Sequence, residues 1–188
     1  MMSLSILLQE TIDELARGGV GRKHPFRFFT FCTVDMKGLP DARMVVLRKF
    51  ERKPLQCTIY TDKRSHKVGQ LEQQPYAQLL FWHPKKRWQI RASVYCSIQE
   101  GKDFKQLYQH LAEAGQASYN TKLAPSSTAT SHQEAVQTAE TFSDENFIAI
   151  TCQIETLEIL QLQRENHNRA QFEFDEEGNI IRENWLVP

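Results

Sequence analysis

The amino-acid sequence predicts a mainly β protein of the α+β kind, an antiparallel β-barrel of six to seven strands with a few peripheral helices. Segments rich in β-branched and aromatic residues recur between short polar turns, and one of them alternates apolar and polar residues over a dozen positions. Helical periodicity is confined to short stretches. With many strands and few helices, closure into a barrel is the arrangement that leaves no exposed sheet edge. At 188 residues, 40% hydrophobic and 10% aromatic, the chain can bury one substantial core without disulfides, so a single domain over 1–188 is expected.

Residues 4–17 place Leu4, Leu7, Leu8, Ile12 and Leu15 on one helical stripe, with Gly18-Gly19 as the expected stop. Strands are expected at 28–34, 41–50 and 55–61, in a meander. Asp62-Lys63-Arg64 then turns the chain, Ser65 caps, and a short helix runs through HKVGQLEQQ to Pro75. Two strands follow. In the second, 87–99, Trp88, Ile90, Ala92, Val94, Cys96 and Ile98 face the core, while Arg87, Gln89, Arg91, Ser93, Tyr95 and Ser97 form a polar wall. Residues 101–114 read as a helix. The stretch 118–143, rich in Ser, Thr and Ala and interrupted by Pro125, reads as a mobile connection or lid. Strand character returns at 146–160 and 169–174, and no internal repeat is present.

Composition narrows the function. The formal net charge is zero, which argues against general nucleic-acid affinity, because that requires an excess of phosphate-neutralising side chains. Residues 41–91 nevertheless hold 12 Lys/Arg against 4 Asp/Glu, a basic centre suited to a small phosphorylated ligand, although composition alone favours a solvated charged face. No signal-peptide pattern opens the chain and no apolar run approaches ~20 residues, so a cytoplasmic protein without membrane association is expected. The four cysteines, Cys32, Cys57, Cys96 and Cys152, stand far apart without zinc or redox spacing and read as reduced, buried thiols. No metal is expected.

Three segments carry chemistry. At Ser65-His66-Lys67 a basic loop opens a helix, whose unpaired N–H groups and dipole favour a phosphate, with Lys67 adding a charge; an ordinary cap with a surface lysine would look the same. In Arg43-Met44-Val45-Val46-Leu47-Arg48, alternation puts Arg43, Val45 and Leu47 on one face and Met44, Val46 and Arg48 on the other. A ligand along this strand could meet Arg43 with its phosphate and the apolar residues with a flat ring. On the alternating strand, Gln89 offers an amide that donates and accepts at once, which suits the mixed edge of a flavin pyrimidine ring.

Taken in order, RMVVLRKF, TIYTDKRSHKVGQLEQQPYAQLLFW and RWQIRASV resemble the FMN-binding core of the pyridoxamine 5′-phosphate oxidase-like split-barrel family over about 55 residues. The resemblance implies a split barrel that binds FMN at the interface of a homodimer. Arg43 and Lys67, with Ser65 and with His66 where many members have arginine, take the place of the phosphate-binding set. Residues Met44 to Leu47, with Arg48, would line the flavin. Tyr60 and Thr61 resemble the family pair at the end of the third strand, and Gln89 the glutamine that approaches the isoalloxazine ring. Asn166-His167-Asn168-Arg169 is similar to a degraded Arg-Leu-His-Asp-Arg stretch, so Arg169 matches the arginine that reaches the flavin of the opposite subunit, and His167 is a possible substrate-side group.

The departures fall on the substrate side. Glu165 stands where the authentic oxidase has an arginine, Ala112 follows Tyr108 at the spacing where another is expected, and Ile159 replaces a flavin-contacting tryptophan. The resemblance therefore implies an FMN-dependent oxidoreductase acting on a small molecule other than pyridoxamine phosphate. Authentic oxidase activity and a non-catalytic flavin-binding module are the alternatives, and no catalytic residue is assigned.

Overall fold

The structure is a computed structural model that describes residues 3–111, 113–164 and 166–188, without the side chains of 102–105, 113 and 114. Nine antiparallel strands build the barrel: β1 (Phe28–Val34), β2 (Pro40–Val46), β3 (Lys49–Arg52), β4 (Leu55–Asp62), β5 (Tyr76–His83), β6 (Trp88–Gln99), β7 (Phe147–Gln161), β8 (Asn168–Phe174) and β9 (Ile180–Trp185). They pair in the order β2-β1-β5-β6-β7-β4-β3, with the β8–β9 hairpin attached to β7.

Two strands exceed the expected six to seven. The single strand expected at 41–50 breaks at Leu47-Arg48, because β2 pairs with β1 while β3 pairs with β4 on the other side of the barrel. The joint is fixed by hydrogen bonds from Leu47 N–H to Arg27 O (2.8 Å), from Arg27 Nη1 to Leu47 O (2.6 Å) and from Arg48 N–H to Thr58 O (2.9 Å). The second addition, β9, is exposed along its length and carried no alternating burial signal to read.

The alternation of β6 holds: Trp88, Ile90, Ala92, Val94 and Cys96 are buried, and the residues between them are half-buried or exposed. They meet Phe29, Phe31, Leu79, Phe81, Ile150, Ile154, Leu157 and Ile159 in one core. Cys57, Cys152 and Cys96 face this core from adjacent strands, with Cys96 and Cys152 Sγ 3.7 Å apart. Burial pushes the Cys57 thiol well up, which keeps it protonated, as expected of core thiols. Cys32 is only half-buried, contrary to expectation.

Helix α1 (Leu4–Val20) caps one end of the barrel through Leu7, Leu8 and Leu15. Gly18 and Gly19 do not stop it. They lie inside the helix, where a Cβ on Gly18 would stand 2.9 Å from Phe26 Cβ and one on Gly19 would stand 3.1 Å from Phe50 N, so they let helix and barrel touch backbone to backbone. At the opposite end sits α2 (His66–Gln73). The helix expected at 101–114 is two, α3 (Lys102–Gln109) and α4 (Glu113–Ala117).

The segment 118–143, read from sequence as a mobile connection or lid, carries local structure of its own. It contains α5 (His132–Ala135), a bridge between Thr121 and Thr138, and a bond from Ser143 N–H to Asn120 Oδ1, while Arg64 reaches across to Thr121 O (2.9 Å).

Candidate functional site

At the α2 end of the barrel, β2, β4 and the start of α2 bring five of the sequence-predicted residues together. Lys67 extends its ammonium to the hydroxyls of Thr61 (3.0 Å) and Ser65 (2.9 Å). Ser65 does not cap the helix with its side chain, as expected from sequence; its hydroxyl donates back to Asp62 O (2.7 Å), which leaves the first N–H groups of α2 without that acceptor. Burial, and next the charge of Arg43, hold Lys67 below the ordinary lysine value, so two cations face one region with no carboxylate bonded to Lys67 among the described residues. Exposed His66 stands at the rim.

Arg43 is built into the frame more deeply than its sequence position suggests. It donates to Thr33 Oγ1 (2.6 Å), Phe31 O (3.3 Å) and Gln70 Oε1 (3.2 Å), and pairs with Asp41 (2.5 Å). The hydrogen bond from Gln70 Nε2 holds Asp41 below the ordinary carboxylate value, with Arg43 adding to it. Thr33, Asp41 and Gln70 were missed in the sequence, since nothing local marks them as partners of Arg43.

Of the remaining β2 residues, Met44 is exposed and Val45 and Val46 are half-buried, and Leu47, just past the strand, is fully buried. Leu47 belongs to the core and both its main-chain groups are bonded to Arg27, which withdraws it from any ligand. The strand is an edge of the sheet, so half of its main-chain donors and acceptors face away from β1. Arg48 lies over the Tyr60 ring at 5.5 Å, and its buried Nε has no partner. Burial raises the Tyr60 and Tyr119 phenols, and Arg48 counters it in both.

Gln89 and Arg169 stand elsewhere. They flank Leu160 from β6 and β8, on the outer face of the sheet. Gln89 is three strands from β2 and Arg169 is five, roughly 14 and 24 Å along the sheet at ~4.8 Å per strand. No small ligand anchored at Lys67 of one chain reaches both of them along that chain's own sheet. Arg169 donates to Glu158 Oε1 (2.8 Å) and Arg91 to Glu158 Oε2 (2.7 Å), so Glu158, also missed in the sequence, orders both guanidinium groups. Between the two sets the face is apolar and open, with Phe28, Met44, Leu80 and Trp82 all 38% exposed or more. His167 is exposed in the turn before β8, its Nδ1 accepting Gln163 N–H.

The substrate-side departures divide. Residues 112 and 165 lie outside the described residues. Ile159 is sealed in the core. Tyr108 is buried, and its hydroxyl accepts from Asn120 Nδ2 (2.6 Å).

A second polar cluster lies under α1, where Glu14 receives His24 Nε2 (3.0 Å) and Lys86 Nζ (2.7 Å), pairs with Arg17, and has His83 Nε2 at 3.7 Å. Two histidines and a carboxylate could suggest a metal. However, Nδ1 of His24 accepts Phe26 N–H and Nδ1 of His83 accepts Lys86 N–H, so each proton sits on the Nε2 that faces Glu14. A metal-bound imidazole needs the opposite arrangement, and two ammonium-type charges already neutralise the carboxylate. The cluster fastens α1 to the barrel.

A barrel of this topology, with a cationic rim and an open apolar sheet face, defines a split-barrel protein of the pyridoxamine 5′-phosphate oxidase-like class. The chain belongs to the family described as pyridoxamine 5′-phosphate oxidase, FMN-binding domain, whose model matches residues 5–99, half of its length. Among curated relatives, a pyridoxine/pyridoxamine 5′-phosphate oxidase of Chromohalobacter salexigens is 45% identical over 62 residues, covering 33% of this chain and 28% of the relative. One of Caulobacter vibrioides is 38% identical over 73 residues, 38% of this chain and 32% of the relative. The chain thus matches less than a third of the relatives' length. Among solved structures, a pyridoxamine 5′-phosphate oxidase-related, FMN-binding protein from Nostoc punctiforme covers 100% of both chains with a TM-score of 0.79 at 21% identity. PhzG from Burkholderia lata, solved with tetrahydrophenazine-1-carboxylic acid, covers 96% of this chain and 92% of its own with a TM-score of 0.76 at 17% identity. At these identities the likeness shows the fold.

Proposed function

We propose that this protein binds FMN between two copies of the chain and is an oxidoreductase for a small molecule other than pyridoxine phosphates. The observation that carries the reading is the convergence of Arg43 and Lys67, with the Thr61 and Ser65 hydroxyls, at the end of an open apolar sheet face. Two cations that share a single bonded carboxylate, Asp41 on Arg43, with Lys67 depressed by burial and by Arg43, are a donor set that a phosphate dianion satisfies. The unpaired edge of β2 offers main-chain groups to the ring. A ring covered by the partner's sheet would meet the partner's Arg169, which its own chain holds five strands away from β2.

When bound, the flavin supplies the hydride chemistry, and the chain has only to hold it, exclude water and place positive charge near the reduced ring. Arg169, kept in position by Glu158, is the group for that last task. The burial of Tyr108 argues against pyridoxine phosphates, because a side chain only 5% exposed presents little surface to a substrate phosphate. The test is an absorbance spectrum of purified protein after desalting. Oxidised-flavin bands that persist, and that heat releases as FMN, are expected; a chain that neither retains FMN nor binds it when added refutes the reading.

A further inference from the structure

Beside the proposed phosphate site lies a cleft of about 780 Å3, within the ~300–1,000 Å3 range of small-molecule sites. Its near end is formed by Asp41, Ser65, His66 and Gln70, the residues that surround Arg43 and Lys67. From there it follows α2 to Gln73, roughly 10 Å at ~1.5 Å per residue, and its opposite wall is the turn between β1 and β2. Asp41, Ser65 and Gln70, which bond Arg43 or Lys67, thus border the groove as well as the proposed phosphate site.

The lining of the groove is specific. Met36 and Leu39, 70% and 58% exposed, form an apolar lip with Pro40. Lys37 and Lys63 reach the same space, and neither has an ion-pair partner among the described residues. Of the three acids that line the groove, Asp35 Oδ1 accepts Lys37 and Leu39 N–H and Asp41 is held by Arg43 and Gln70, while Glu72 is exposed on the α2 wall. Gly69 forms part of the α2 wall, and a Cβ built there meets nothing within 4 Å, so the helix presents bare backbone to the groove.

We infer that the cofactor site accepts flavin adenine dinucleotide as well as FMN, with the second phosphate near Lys63 and Lys37 and the adenosine between Gly69 and the Met36–Pro40 lip. The inference rests on the assignment of the flavin phosphate to Arg43 and Lys67. It follows from direction: the ring would run along β2 away from the groove, and a group attached to the phosphate has the groove as its exit. A second phosphate gains the two unpaired ammonium groups, and a flat base gains the exposed apolar lip.

Calorimetric titration of the flavin-free protein with riboflavin, FMN and flavin adenine dinucleotide tests this. The dinucleotide is expected to bind within about tenfold of FMN, which corresponds to ~1.4 kcal/mol. Gly69→Phe, which fills the groove and improves helix propensity, should weaken the dinucleotide at least about tenfold and leave FMN within about twofold; Lys37→Ala with Lys63→Ala should do the same. FMN binding with the dinucleotide more than about tenfold weaker, or a dinucleotide affinity indifferent to Gly69→Phe, overturns the inference and leaves the proposed function standing. If no flavin binds, both fall.

Discussion

Replacing Lys67 by methionine is expected to weaken the cofactor much more than it destabilises the flavin-free protein. The ammonium is bonded to two neutral hydroxyls at 2.9 and 3.0 Å and to no carboxylate among the described residues, and burial together with Arg43 disfavours its charge by more than Asp62 and Asp41 favour it. Methionine keeps the apolar stem and removes a charge that burial disfavours, so the flavin-free protein should lose less than about 1 kcal/mol of unfolding free energy, or gain. With FMN the balance reverses, since the lysine then makes a charge-assisted contact worth roughly 1.5–3 kcal/mol, a loss of about tenfold to somewhat over a hundredfold in affinity. Riboflavin lacks the phosphate and should bind both proteins alike. Titration of the two flavins, with urea unfolding of the flavin-free proteins, separates the effects. A Lys67→Met protein that binds FMN normally, or that loses riboflavin and FMN in equal measure, would refute the phosphate assignment. Arg43→Ala is a poorer probe, because Thr33 and Gln70 would lose a buried partner as well.

Four further outcomes are expected. If sites are shared between two chains, mixing Arg43→Ala with Arg169→Ala chains should restore about half of the native FMN capacity in the heterodimers, because one site carries both lesions and the other none; no rescue, or a flavin-loaded monomer in sedimentation, contradicts this. Turnover of pyridoxamine or pyridoxine 5′-phosphate should be absent or slow, and a rate of ~1 per second or more in a pyridoxal phosphate assay would show that the substrate half is intact. Gly18→Ala should cost roughly 1–3 kcal/mol by forcing a methyl onto Phe26 and Leu47, measured by thermal unfolding; an unchanged midpoint would mean that α1 can move away freely. Burial holds His83 below its ordinary value of 6.5, so the unfolded chain takes up the proton first and stability should fall as the pH drops below about 6.5. His83→Gln, which keeps a donor toward Glu14, should flatten that slope in denaturant titrations between pH 7 and 5, and a slope of undiminished size would remove His83 as its cause.

Much of the fold was legible because strand periodicity is a local signal: Trp88 to Cys96 alternates in the sequence as it does in the barrel. The rim residues Arg43, Thr61, Ser65 and Lys67 were likewise legible, since a strand end, a basic turn and a helix start are each written in consecutive residues. Only the tertiary structure decided what those residues touch. Arg43 finds Thr33 and Gln70 across 10 and 27 residues, Arg169 finds Glu158, and Glu14 gathers His24 and His83 from 10 and 69 residues away. Gly18-Gly19 read as a stop because glycine weakens helices locally, whereas the contact with Phe26 and Phe50 that requires them exists only once α1 is docked. The same holds for Leu47, which the resemblance placed along the flavin, whereas the strand breaks there and passes to the other side of the barrel. Backbone preference is set by neighbours in sequence, whereas side-chain partnership is set by packing, and closure of the barrel is what brings these distant partners together.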